Sequence, residues 1–163
     1  MRAVLCPELG SIESLVVGER GSPALSDGGV RIGVKAAGVN FPDILMAEGK
    51  YQVKPDLPFT PGLEVAGEVL ECAAGVNHVK PGDRVLAFAR HGGGFAEEVV
   101  LPGEIVTPIP SDMDFVTAAA FPVAYGTAHF ALTHRGNLRP GETPVSYTHL
   151  TLPTTRWGWR EGG

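Results

Sequence analysis

The chain has 163 residues, of which 44% are hydrophobic and 19% charged, enough to bury the core of a single domain of roughly 100–200 residues. Its 13 Lys and Arg against 18 Asp and Glu give a net charge of −5. That balance argues against a phosphate-tracking nucleic-acid surface or a polybasic membrane patch and leaves small molecules as the expected partners. Cys6 and Cys72 are too few for a disulfide scaffold or a cysteine-rich zinc site, and are expected to be reduced and buried.

The 22 glycines and 14 prolines fall between short β-rich runs, the pattern of an all-β barrel or sandwich. Arg2 to Cys6 is the first predicted strand, and the residues around it lack the apolar stretch of a secretory signal. Val30 to Ala36 alternates, with Val30, Ile32, Val34 and Ala36 on one face and Arg31, Gly33 and Lys35 on the other, so a half-buried strand is expected there. Glu64 to Cys72, Asp83 to Phe88, Phe95 to Leu101 and Ile105 to Ile109 complete the predicted strands. Pro81-Gly82-Asp83 is a turn with Pro at its first central position and Gly supplying positive φ at the second. His91-Gly92-Gly93-Gly94 precedes a strand instead of opening a helix, so it reads as a hairpin connection and not as a phosphate loop.

From residue 111 the pattern changes. Ser111 or Asp114 can cap a helix running through Ala120, Pro122 breaks it, and Tyr125 to His134 reads as a second helix. The uncharged run Phe115 to His134 is interrupted by Pro122 and Gly126 and makes a poor membrane span, so a cytoplasmic, membrane-free protein is expected. Pro140-Gly141-Glu142 repeats the earlier turn and predicts a strand that does not arrive. Instead threonines crowd Thr143 to Thr155, both tryptophans, Trp157 and Trp159, lie at the end, and Tyr147 to Thr155 resembles a translated sequencing adapter. The expected division is a β domain over 1–120, a connecting helix over 121–143 and a foreign, disordered tail over 144–163.

Three segments carry chemistry together. They are Ala37-Gly38-Val39-Asn40-Phe41-Pro42-Asp43 leading to Gly49-Lys50-Tyr51; Leu57 through Val69, with Thr60-Pro61-Gly62-Leu63-Glu64; and Val76 through Val85, with Lys80-Pro81-Gly82-Asp83-Arg84. In this order and spacing they resemble the N-terminal, GroES-like catalytic domain of medium-chain dehydrogenases/reductases, in the zinc-free quinone oxidoreductase branch. Gly93-Gly94-Phe95-Ala96-Glu97-Glu98 and Ala118 through Ala128 extend the resemblance to about Thr143. It implies a mainly β fold, a partly open GroES-like barrel with short C-terminal helices. It also implies a Rossmann domain for the cofactor, whose strand and glycine-rich turn are expected after Glu142 and are missing from the sequence.

A catalytic zinc needs three soft or imidazole ligands. Zinc-dependent relatives place a cysteine where Asn40 stands and a histidine where Leu63 stands, and neither residue present can ligate, so no metal is expected. The chemistry implied is hydride transfer from NADPH, or NADH, to a quinone or another α,β-unsaturated carbonyl, needing only a hydrogen-bond donor at the nascent oxyanion. Tyr51 is the candidate donor and also a candidate pocket wall. The resemblance assigns Asn40 to the nicotinamide half of the cofactor, although a turn or cap asparagine is the plainer reading. Thr127, after Gly126 at an expected helix start, offers a hydroxyl and free amides to a carboxamide or phosphate. Glu64, inside an apolar strand, needs a partner if buried, and Arg84 is the candidate. The fragment alone is expected to be inactive and its parent a homodimer. A GroES-like binding or assembly module, an enoyl-thioester reductase, and a zinc alcohol dehydrogenase with atypical ligands are the alternatives.

Overall fold

A computed structural model describes residues Met1–Val145; the expected tail, apart from Pro144 and Val145, lies outside the described residues. The chain divides into two units, Met1–Val123 and Ala124–Gly163. Seven strands are formed among the described residues: β1 (Arg2–Leu5), β2 (Val16–Glu19), β3 (Gly29–Gly38), β4 (Glu64–Cys72), β5 (Arg84–Phe88), β6 (Glu98–Pro102) and β7 (Val106–Pro108). The last five make one antiparallel sheet in the order β6-β3-β4-β5-β7, and β1 and β2 form a separate antiparallel ribbon. Isolated bridges from Ala3 to Ala96 and from Cys6 to Phe59 tie the ribbon to the loops of the larger sheet. The architecture is mainly β with open sheets and short helices, as the family resemblance implied.

The main core is the inner face of the large sheet, where Val30, Ile32, Val65, Val69, Val85, Val99 and Val106 pack together. β-branched side chains suit this pleated, half-buried surface. The alternation predicted for β3 holds only as far as Val34. Lys35 has no Cα partner in β4, since Val34 faces Gly67 and Ala36 faces Ala66. This one-residue bulge reverses the faces beyond it, so Ala37 joins the main core and Ala36 packs with Ala66, Ala118 and Ala119 on the other side.

The connection over His91–Gly94 is not a hairpin, because β5 and β6 are not neighbours in the sheet. The Gly93 and Gly94 amides instead donate to the carbonyls of Thr60 and Gly62, so the loop is stitched to the segment that feeds β4. A strand missed in the sequence, β2, carries Val16 and Val17 largely exposed; with no buried face it shows no clear alternation.

Three helices follow from local chemistry. α1 (Phe41–Ala47), also missed, has Pro42 in its first turn, where a missing N–H costs nothing. α2 (Phe115–Ala119) is capped by Asp114, whose carboxylate accepts from the Thr117 amide at 2.8 Å. α3 (Phe121–Phe130) begins earlier than predicted, because Pro122 sits in its first turn instead of breaking it. A π-helical turn, Ala131–Arg135, follows it, and no strand forms between Glu142 and Val145. No helix among the described residues is long and apolar enough to cross a membrane. Cys6 is buried and Cys72 half-buried, both free, and burial pushes both thiols above their usual range.

Arg84 does not meet Glu64. Its guanidinium donates to the carbonyls of Pro110, Ser111 and Met113 and lies 4.4 Å over the Phe115 ring, which fastens the segment between β7 and α2 to the sheet. An arginine fork and a stacked face cannot both be reproduced by an ammonium. Arg84→Lys is therefore expected to lower unfolding stability by about 1–2 kcal/mol, read as a lower urea midpoint; an unchanged midpoint would show that these contacts carry no net stability.

Candidate functional site

The site grows from the end of β3. Gly38 closes the strand, and Asn40, extended at φ −123° and ψ 153°, caps α1. Three residues into the helix, the Asp43 carboxylate reaches back to the Asn40 amide at 2.9 Å, the acidic half of a capping box. Its other oxygen accepts from the Gly62 amide, also at 2.9 Å. Asp43 thus pins the turn into α1 against the loop entering β4. It is 4% exposed, and burial raises its carboxyl above the usual range. The amides of Asn40 and Gly62 oppose that shift, and the charge of Glu64 adds to it.

Glu64, the first residue of β4, is 3% exposed. Its Oε1 accepts from Asn40 Nδ2 at 2.8 Å and its Oε2 from the Val123 backbone amide at 2.8 Å. A buried carboxylate is therefore satisfied by two neutral donors and not by a cation. The structure makes room for it at Gly38, where a Cβ would run into the Glu64 carboxylate. Sheet register explains the meeting: Glu64 lies opposite Gly38 on one side and Phe88 on the other.

Beside this polar cluster is an open cleft of about 580 Å³ lined by Tyr51, Gln52, Val53, Leu63, Phe88 and Arg90. Tyr51 is held by its amide donating to the Leu45 carbonyl at 3.0 Å. Its side chain leans on the apolar group of Cys6, Met46, Ala47, Phe59 and Leu63. Among the described residues its hydroxyl makes no hydrogen bond, so the donor is available to whatever fills the cleft. Among the described residues, Arg90 is the only basic side chain lining it.

Of the residues singled out in the sequence, Tyr51 lines the cleft and Asn40 joins Glu64. Thr127, in the second unit, is the seventh residue of α3 and exposed. Because the helix starts at Phe121, the amide of Thr127 lies within the helical ladder, and only its hydroxyl is available, contrary to the expected helix start. Asp43 was missed as a site residue, although its position three residues after an asparagine cap is a legible signal. Gln52, Val53, Phe88 and Arg90 were missed for want of any local pattern. No group of three or more His, Cys, Asp or Glu among the described residues is placed to hold a metal ion, and the side chains at 40 and 63, an amide and an isobutyl group, are not zinc donors.

An open antiparallel sheet closed by short helices, with a polar turn at the end of β3 beside a cleft, is the GroES-like architecture. Residues 26–111 match the alcohol dehydrogenase GroES-like domain family, and the chain belongs to it. A quinone oxidoreductase-like protein 2 homolog of Nematostella vectensis is 49% identical over 143 residues, which are 87% of this chain and 39% of that protein. The crystal structure of the human synaptic vesicle membrane protein VAT-1 homolog-like protein superposes with a TM-score of 0.83 at 39% identity, over 87% of this chain and 46% of that one. The quinone oxidoreductase of Thermus thermophilus, solved also in complex with NADPH, gives a TM-score of 0.74 at 37% identity, over 87% and 43%. The chain thus spans less than half the length of these relatives, and the part they share is the GroES-like domain of the medium-chain dehydrogenase/reductase superfamily.

Proposed function

We propose that this domain supplies the substrate side of an NADPH-dependent, zinc-independent reductase of quinones or other α,β-unsaturated carbonyls. The observation that carries the reading is the cleft itself: a free tyrosine hydroxyl over an apolar wall, next to a turn whose residues at 40 and 63 cannot ligate zinc. The names of the quinone oxidoreductase relatives, and the NADPH complex of one of them, support it. NADPH supplies the hydride. Asn40, held by Glu64, would hold the nicotinamide half of the cofactor. The Tyr51 hydroxyl donates to the carbonyl oxygen as it gains negative charge, a contact that strengthens in the transition state. Leu63 and Phe88 are apolar side chains lining the cleft, which suits a quinone ring.

The test uses a protein in which this domain is joined to a cofactor-binding domain, assayed with NADPH and 1,4-benzoquinone before and after dialysis against a chelator. Activity that survives chelation and a Tyr51→Phe variant with kcat/KM down roughly 10–100-fold are expected. The 163-residue chain alone is expected to show no turnover. Loss of activity on chelation, restored by zinc, sinks the zinc-independent reading; an unaltered Tyr51→Phe enzyme sinks the role of the hydroxyl.

A further inference from the structure

Glu64 does more than fill a buried position. A carboxylate only accepts hydrogen bonds, so of the two ends of the Asn40 amide the donor end must face it. The 2.8 Å contact from Nδ2 to Oε1 has this polarity. The second oxygen is committed to the Val123 amide, a backbone donor that cannot turn round, and the missing side chain at Gly38 leaves the carboxylate its place. The oxygen end of the Asn40 amide is thereby turned away from Glu64. We propose that Glu64 is a positioning residue that sets the polarity of Asn40, so that position 40 offers an acceptor and selects a ligand group that donates, the N–H of a primary carboxamide. The carboxamide assignment rests on the nicotinamide reading above; the polarity rests on the geometry alone.

The polarity can be reversed without changing size. In Glu64→Gln the Val123 amide still demands an oxygen, so the nitrogen of the introduced carboxamide faces Asn40, whose own amide turns over and points its nitrogen outward. Asn40→Asp alone sets two carboxylates at hydrogen-bond distance, which repel unless one takes up a proton. Asn40→Asp with Glu64→Gln restores a donor-to-acceptor pair and again turns an oxygen outward.

The experiment uses the full 163-residue chain, with side-chain amide NMR spectra, thermal unfolding, and nicotinamide and 3-acetylpyridine as probes. The second probe keeps the carbonyl and lacks the N–H. One Asn40 side-chain proton is expected downfield in the parent chain, as for a carboxylate-bound donor, and shifted back in Glu64→Gln. Asn40→Asp is expected to lower the melting temperature by roughly 4–8 °C, with most of the loss recovered in the double variant. Nicotinamide at millimolar concentration should perturb residue 40 in the parent and the double variant more than 3-acetylpyridine does, and this preference should vanish in Glu64→Gln. An Asn40 amide signal indifferent to Glu64→Gln, or no recovery in the double variant, overturns the proposal; the parent spectrum tests it even if a variant fails to fold. Signals and recovery as expected, with neither probe touching residue 40 in any form, uphold the polarity and sink the nicotinamide reading instead.

Discussion

Gly67→Val is expected to unfold the β domain or lower its stability by more than about 3 kcal/mol. Gly67 lies opposite Val34 in the β3–β4 ladder, beside the bulge at Lys35. A Cβ there would drive into the Gly33 carbonyl oxygen and meet the Ile32 side chain at 2.9 Å. The first obstacle is backbone of the adjacent, central strand, so it cannot swing aside as a flexible side chain would. Relief requires β3 and β4 to separate, and these two strands hold Val30, Ile32, Val65 and Val69 in the main core. Circular dichroism and urea unfolding of the variant check this. A folded Gly67→Val protein with a midpoint near the parent's would mean that the two strands tolerate a separation the register does not suggest.

Asp43→Ala is expected to cost about 3 kcal/mol and roughly 6–12 °C in melting temperature, because it leaves the Asn40 and Gly62 amides without acceptors. The Gly62 bond is buried, and the unmet donor bears its full desolvation. The loss should depend on pH with a definite sign. The folded-state carboxyl lies above its usual value, chiefly through burial, while in the unfolded chain Asp titrates near 3.9 (about the model-peptide value). Between these two points the folded state holds a proton that the unfolded state has released, so stability from Asp43 is fully present below about pH 4 and declines as pH rises through the folded value. The difference in unfolding free energy between the parent and Asp43→Ala should therefore be greatest in acid and shrink toward neutrality. A difference that grows with pH would show that the two amide bonds outweigh burial.

These two residues are legible to different degrees. Gly67 stands in a strand that the run Glu64 to Cys72 announces, but nothing local says that its missing side chain faces a carbonyl across the ladder. Asp43 carries a signal, the Asn-x-x-Asp spacing of a capped helix, which is masked because α1 is only seven residues long and its proline reads as a breaker. Pro122 misleads in the same way, and a helix starting at Phe121 removes the free amides expected at Thr127. In both cases the proline sits in a first turn, where the ring is tolerated.

Sequence alone determined the fold class, six of the seven strands, a helix after residue 111 with Asp114 as one of two cap candidates, the family resemblance and the absence of zinc donors at 40 and 63. Each of these rests on residue type and short-range period, which act through the backbone within a few positions. Only tertiary structure decided what Glu64 touches, which face Ala36 and Ala37 occupy beyond the bulge, and which six residues, drawn from three stretches between Tyr51 and Arg90, share one cleft. Arg84, an opposite charge close by in an adjacent strand, looked the natural partner for Glu64; the fold instead brought it an asparagine amide from the turn after β3 and a backbone amide from the first turn of α3, both at 2.8 Å. A buried carboxylate takes whatever donors the fold presents to it, and which turn and which helix end meet the start of β4 is set by packing between segments distant in sequence.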